Sequence, residues 1–178
     1  MLVGVSAVVI GVCALGVSLY ETSLMREEQR AAVIPLVELS RSFFLENGED
    51  GGETLRLILN LENVGIGPAR IQDFRVTVDG EPQLTWRAAM NALLGEVLTA
   101  PYVQSTINGR TIPVERRVAM FDLRDSGVAR RMLAEFERLE FSACYCSVFD
   151  ECWRTSYRTF GAATEVASCE SSADSFTE

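Results

Sequence analysis

Two residue types are missing from this 178-residue chain: it has no histidine, and all 16 of its basic residues are arginine, so it has no lysine. Without imidazole there is no general base for a Ser-His or Cys-His nucleophile. Without lysine there is no Schiff-base amine and no phosphate-loop ammonium. A zinc site would have to be built from cysteine and carboxylate alone. Arginine binds anions but stays protonated, so it shuttles no protons. Carboxylates, thiols, Tyr and Ser are what remain for chemistry, and the expectation is a protein that is not an enzyme, with no catalytic residues and no cofactor.

Charge is absent from a third place, the first 20 positions, which run from Met1 to Tyr20 without an acid or a base. As a helix they would span about 30 Å, the hydrocarbon thickness of a bilayer. No basic n-region precedes them and the run is too long for a cleaved signal peptide. The expectation is a retained single-pass anchor over 1–20, with the bilayer as its partner, continued by helix formers over 21–32. Within it Gly4, Ala7, Gly11, Ala14 and Ser18 recur at spacings of three and four. Small residues on one face let helix backbones approach, so these five are the candidate helix-association face, for a second copy or another membrane protein.

Acids outnumber bases 25 to 16, for a net charge of −9. Glu46, Glu49, Asp50 and Glu53 crowd one loop, and Glu165, Glu170, Asp174 and Glu178 lie in a tail without a base. With no basic stripe, nucleic acid is not an expected partner. The loop offers oxygen ligands but lacks the spacing of a calcium loop, and reads as solvated.

Beyond Pro35 the pattern changes to period two with turn punctuation, the signature of strands. Leu55–Leu61 and Ile71–Val78 alternate, the second ending at the turn dipeptide Asp79-Gly80. Ser105-Thr106-Ile107 and Arg110-Thr111-Ile112 flank Asn108-Gly109, a hairpin signal. Val114–Phe121, Leu139–Phe149 and Cys152–Phe160 complete the series. Two helices interrupt it: Leu84–Leu94, with Leu84, Ala88 and Leu94 on its apolar side and Gly95 as its cap, and a second capped by Asp125-Ser126 and running to Arg138. The fold class expected is mainly β: a transmembrane helix, then an immunoglobulin-like β-sandwich with two helical connections. The sandwich takes 33–161, and 162–178 is an acidic flexible tail.

Cys144, Cys146, Cys152 and Cys169 are candidate disulfide partners. On a strand Cys144 and Cys146 share a face, so they do not bond each other, and either can meet Cys152 across the hairpin or Cys169 in the tail. Free buried thiols and a four-cysteine metal site are the alternatives, the metal disfavoured because paired C-x₂-C knuckles are absent. Asn63-Val64-Gly65-Ile66-Gly67-Pro68-Ala69-Arg70 fails the spacing of a phosphate loop and reads as a bent strand connection, its glycines permitting positive φ.

Ser18–Glu21, Met25–Arg30, Glu62–Ala69, Ser105–Pro113 and Cys144–Trp153 together resemble uncharacterised bacterial single-pass membrane proteins with an N-terminal anchor and a compact immunoglobulin-like β domain. The resemblance implies an architecture and transfers no active-site residue. Arg26 and Arg30 after the anchor favour a cytoplasmic domain by the positive-inside rule. Clustered cysteines favour the periplasm, which is the placement expected at the inner membrane, with the cytoplasm as the alternative. The function expected is a membrane-anchored, non-enzymatic binding or scaffolding protein of the bacterial envelope. The rival is a ligand-binding domain or enzyme using carboxylates and arginines such as Asp122, Arg124 and Asp125.

Overall fold

Alternation of Leu55, Leu57, Leu59 and Leu61 with more polar neighbours puts four leucines on one side of an extended segment, and all four are buried. That segment is one of ten strands in a computed structural model that describes residues 2–47, 53–159 and 162–178. The elements run α1 (Leu2–Ala31), β1 (Val37–Asn47), β2 (Glu53–Asn63), β3 (Ala69–Val78), β4 (Glu81–Gln83), α2 (Trp86–Leu94) and β5 (Tyr102–Gln104). They continue with β6 (Thr111–Ile112), β7 (Arg116–Leu123), α3 (Ser126–Ala134), β8 (Leu139–Cys146), β9 (Cys152–Ser156) and β10 (Thr164–Val166). The acidic loop at Glu49 and Asp50 lies outside the described residues.

The protein is mainly β, with two antiparallel sheets. One has the order β1-β2-β7-β5; the other has the order β10-β9-β8-β3-β4, with β6 on β3. The chain crosses from the first sheet to the second after β2, β5 and β7. No disulfide joins the two sheets, since both bonds start from β8. Leu57, Leu59 and Phe121 from the first sheet and Phe74, Phe141 and Tyr145 from the second are fully buried in one core, closed at one end by Trp86 of α2.

Local chemistry explains the punctuation. Asp79 and Gly80 both take positive φ (53° and 85°) and link β3 to β4 with Val78 opposite Glu81, the two-residue turn that matches strand twist. Thr85 accepts a hydrogen bond from the Ala88 amide at the start of α2, and Gly95 ends it at φ 70°. Asp125 accepts from the Val128 amide at the start of α3. The buried face of α2 is Trp86, Ala89, Met90 and Leu93, rotated from the side expected: Leu84 lies before the helix and is exposed.

Several expectations are corrected. Among the described residues no helix is long and apolar enough to cross a membrane. The single-pass anchor, and the inner-membrane placement drawn from it, are therefore not supported.

Asn108-Gly109 does form a turn, the Arg110 amide donating to the Ile107 carbonyl, but it closes no hairpin. Its flanks part, β5 pairing with β7 in one sheet and β6 with β3 in the other. The Asn108 side chain is drawn away instead, to the Phe74 amide and the Phe176 carbonyl. The alternation of β3 breaks at a bulge between Ile71 and Asp73, which turns the buried Asp73 toward Arg75 and Ser175. Finally, the tail expected to be loose returns to the domain: β10 adds to β9, and Phe176 is buried against Phe74 and Trp86. Glu178 accepts from the Trp86 amide, a carboxylate at a helix N-terminus.

Candidate functional site

Three places could carry function: the joint between α1 and the sandwich, the cysteines at the end of β8, and the carboxylates at the end of β7.

The joint is built on Asn63, the last residue of β2 and fully buried. Its Oδ1 accepts from the amides of Leu36 (3.3 Å) and Gly65 (3.1 Å). Its Nδ2 donates to the carbonyls of Gly67 (2.8 Å), Ile112 (3.1 Å) and Pro113 (3.3 Å). One amide thus joins backbone groups from three stretches of chain. The loop after it grips the segment leaving α1: the Val64 amide donates to Leu36 and the Ile66 and Gly67 amides donate to Ile34. The glycines serve close approach and not positive φ, which neither adopts. A Cβ on Gly65 would lie 2.3 Å from the Leu36 nitrogen, and one on Gly67 would lie 1.9 Å from the Val33 oxygen. The sequence exposed the bend, but not that a second backbone lies across it.

At the same end of the domain, residues 147–151 connect β8 to β9. Arg70 donates to the Ser147 carbonyl and pairs with Asp150, while Glu151 lies 3.7 Å from Arg30 of α1. The base of α1 is therefore held from two sides.

The loop is closed by a disulfide between Cys146 and Cys152, which stand directly opposite in the β8–β9 register. A second disulfide ties Cys144 to Cys169 of the tail across a separation of 25 residues. Cys144 and Cys146 project from the face opposite Phe141, Ala143 and Tyr145, yet both are buried, because the tail crosses that face. The Sγ atoms of Cys146, Cys152 and Cys169 lie within 4.8 Å of one another. Burial raises the Tyr145 hydroxyl above its usual range, so it stays neutral. Cys13, in α1, is free and exposed.

At the end of β7, Asp122 receives two hydrogen bonds from Arg56, at 2.8 and 2.7 Å. That pairing holds its carboxyl below the usual range, so it is an anion at neutral pH. Arg124 stands 3.9 Å away, and Asp125 is occupied as the cap of α3. Concavities lie elsewhere, one along Arg110, Ile112 and Arg116, another beside Gly95, Arg131 and Arg138, and a third between Arg41, Phe136 and Tyr157. The trio thus meets at a strand end and lines none of these concavities, and each carboxylate has a structural partner.

Of the expected helix-association face, Gly4 and Ala7 have side chains outside the described residues. Gly11, Ala14 and Ser18 are exposed, and nothing comes within 4 Å of a Cβ built on Gly11. Ile10, Val12, Leu15, Val17 and Leu19 on the other sides are also open to solvent, between 56% and 68% exposed.

No family model matches this chain, and no curated protein or solved structure matches it.

Proposed function

We propose that this protein acts by binding and not by catalysis: a disulfide-stapled β-sandwich that presents α1, on a fixed joint, to an apolar helix of a partner chain. The observation that supports this reading is the bareness of α1. Large apolar side chains from Ile10 to Leu19 have no cover within the chain, whereas a helix apolar on all sides is ordinarily buried. Contiguous apolar patches of that kind mark interaction sites in monomers. Gly11, Ala14 and Ser18 give the partner a side on which two backbones can approach.

The joint supports the same reading. One hydrogen bond from the Leu36 amide to Asn63, three from the amides of Val64, Ile66 and Gly67, and two glycine-permitted backbone crossings hold the segment that leaves the helix, as a presented binding element requires and a tether does not. The carboxylates of the rival reading support it from the other direction, since Asp122 and Asp125 are occupied by Arg56 and by the α3 amides.

Crosslinking and native mass spectrometry of the full chain test the proposal. The expected result is a dimer or a stoichiometric protein partner, weakened at least tenfold by Gly11→Ile or Ala14→Ile and little changed by Val12→Ala. A strictly monomeric chain without a co-purifying protein refutes it. So does capture by protein-free lipid vesicles that is indifferent to the bulky substitutions.

A further inference from the structure

Four of the five cysteines meet on the outer face of the second sheet, from three separate stretches of chain. Cys144 and Cys146 are two residues apart on β8, Cys152 opens β9, and Cys169 arrives in the tail. Two disulfides that only staple strands have no need to lie side by side. Here the tail sulfur is within 4.8 Å of both sulfurs of the neighbouring pair, and Cys144 is bonded to it. Cys144, Cys146 and Cys152 are buried, Cys169 half-buried, and the site has no imidazole to offer, only sulfur.

We propose that in its reduced form the chain uses Cys144, Cys146, Cys152 and Cys169 as a tetrahedral thiolate site for a soft divalent cation of the zinc class. A zinc–sulfur bond of about 2.3 Å sets sulfur–sulfur edges of ~3.8 Å in a tetrahedron. The Cys169 sulfur therefore needs to approach those of Cys146 and Cys152 by no more than about 1 Å, while each bonded pair opens on reduction. The C-x₂-C knuckle that usually brings two ligands together is replaced by β geometry. A strand repeats its side-chain direction every two residues, so C-x-C presents both sulfurs to one face. The hairpin sets Cys152 opposite Cys146, and the tail lays Cys169 over them.

The electrons balance through an external dithiol of the thioredoxin class. Each disulfide takes two electrons and two protons from one such dithiol, which leaves as its own disulfide, so two dithiols are consumed per chain. The cation then displaces the four thiol protons, leaving a doubly negative site. Arg70 stands opposite Cys146 and Arg154 opposite Cys144 in the strand register, the Arg70 guanidinium reaching on to the Ser147 carbonyl and Asp150. Cations beside a thiol favour the thiolate, the form that binds metal.

The test reduces the full chain with a phosphine, removes the phosphine, and titrates Co²⁺ and then Zn²⁺. One Co²⁺ per chain should bind, with the absorption of a tetrahedral thiolate complex, and Zn²⁺ should displace it. Cys13→Ser should leave the titration unchanged, while Cys146→Ser and Cys169→Ser each weaken binding at least tenfold. Should reduction unfold the chain, metal must restore the near-ultraviolet dichroism of the packed aromatic side chains, because binding and folding are coupled. A reduced chain that stays folded without a thiolate–cobalt band overturns the proposal. An unfolded one that metal does not restore, or a titration insensitive to Cys169→Ser, overturns it equally.

Discussion

Replacing Asn63 with alanine should be among the most damaging single changes to this domain, and its cost can be worked from the joint. The side chain has two amide hydrogens and two acceptor lone pairs, and the structure uses all of them on backbone groups of Leu36, Gly65, Gly67, Ile112 and Pro113. At about 1 kcal/mol for each of four net hydrogen bonds, the loss is about 4 kcal/mol. Asn63 is fully buried, so water does not readily take its place. Urea unfolding followed by the fluorescence of the buried Trp86 measures it. With a slope of about 2 kcal/mol per molar urea, the midpoint should fall by about 2 M. Hydrogen exchange locates the damage: the amides of Val64, Ile66 and Gly67, which donate into the segment leaving α1, should exchange faster than those of β8. Ser42→Ala serves as the comparison, since it removes one partly buried bond, from Asn60, and should cost less than ~1.5 kcal/mol. A midpoint shift for Asn63→Ala below about 0.5 M would refute the reasoning.

Other outcomes follow from single contacts. Phe176→Ala, which empties the place between Phe74 and Trp86, should cost about 3–5 kcal/mol, read by the same unfolding assay. Removing the Cys144–Cys169 bond should destabilise the domain more than removing Cys146–Cys152, about 3.5 against about 2 kcal/mol from loop-closure entropy over separations of 25 and 6 residues. Arg56 lowers the Asp122 carboxyl in the fold, so its stabilisation is complete above the unfolded value near ~3.9 and is lost as pH falls through the lower folded value. Asp122→Asn should flatten that acid limb in a series of melting temperatures against pH. Thr85→Ala should cost about 1 kcal/mol through the lost cap of α2.

Features that depend on a few neighbouring residues were legible without coordinates. The leucine alternation of β2, the Asp79-Gly80 turn, the caps Asp125 and Gly95, and the shared face of Cys144 and Cys146 each follow from local geometry. What failed was decided by distant chain. Asn108-Gly109 carries a hairpin dipeptide, but Thr111-Ile112 pairs with β3 while residues 105–107 form no strand and the chain just before them pairs with β7. The acidic tail has no periodicity of its own, and only the gap between Phe74 and Trp86 makes Phe176 a core residue. Gly65 and Gly67 looked like bend residues because the crossing backbone of residues 33–36 is invisible to spacing. The sequence by itself determined the longer strands, the Asp79-Gly80 turn and the chemical types available for function. Only the tertiary structure decided which cysteines meet, why Asn63 is buried, and where the tail goes, because those depend on contacts between segments that no local period encodes.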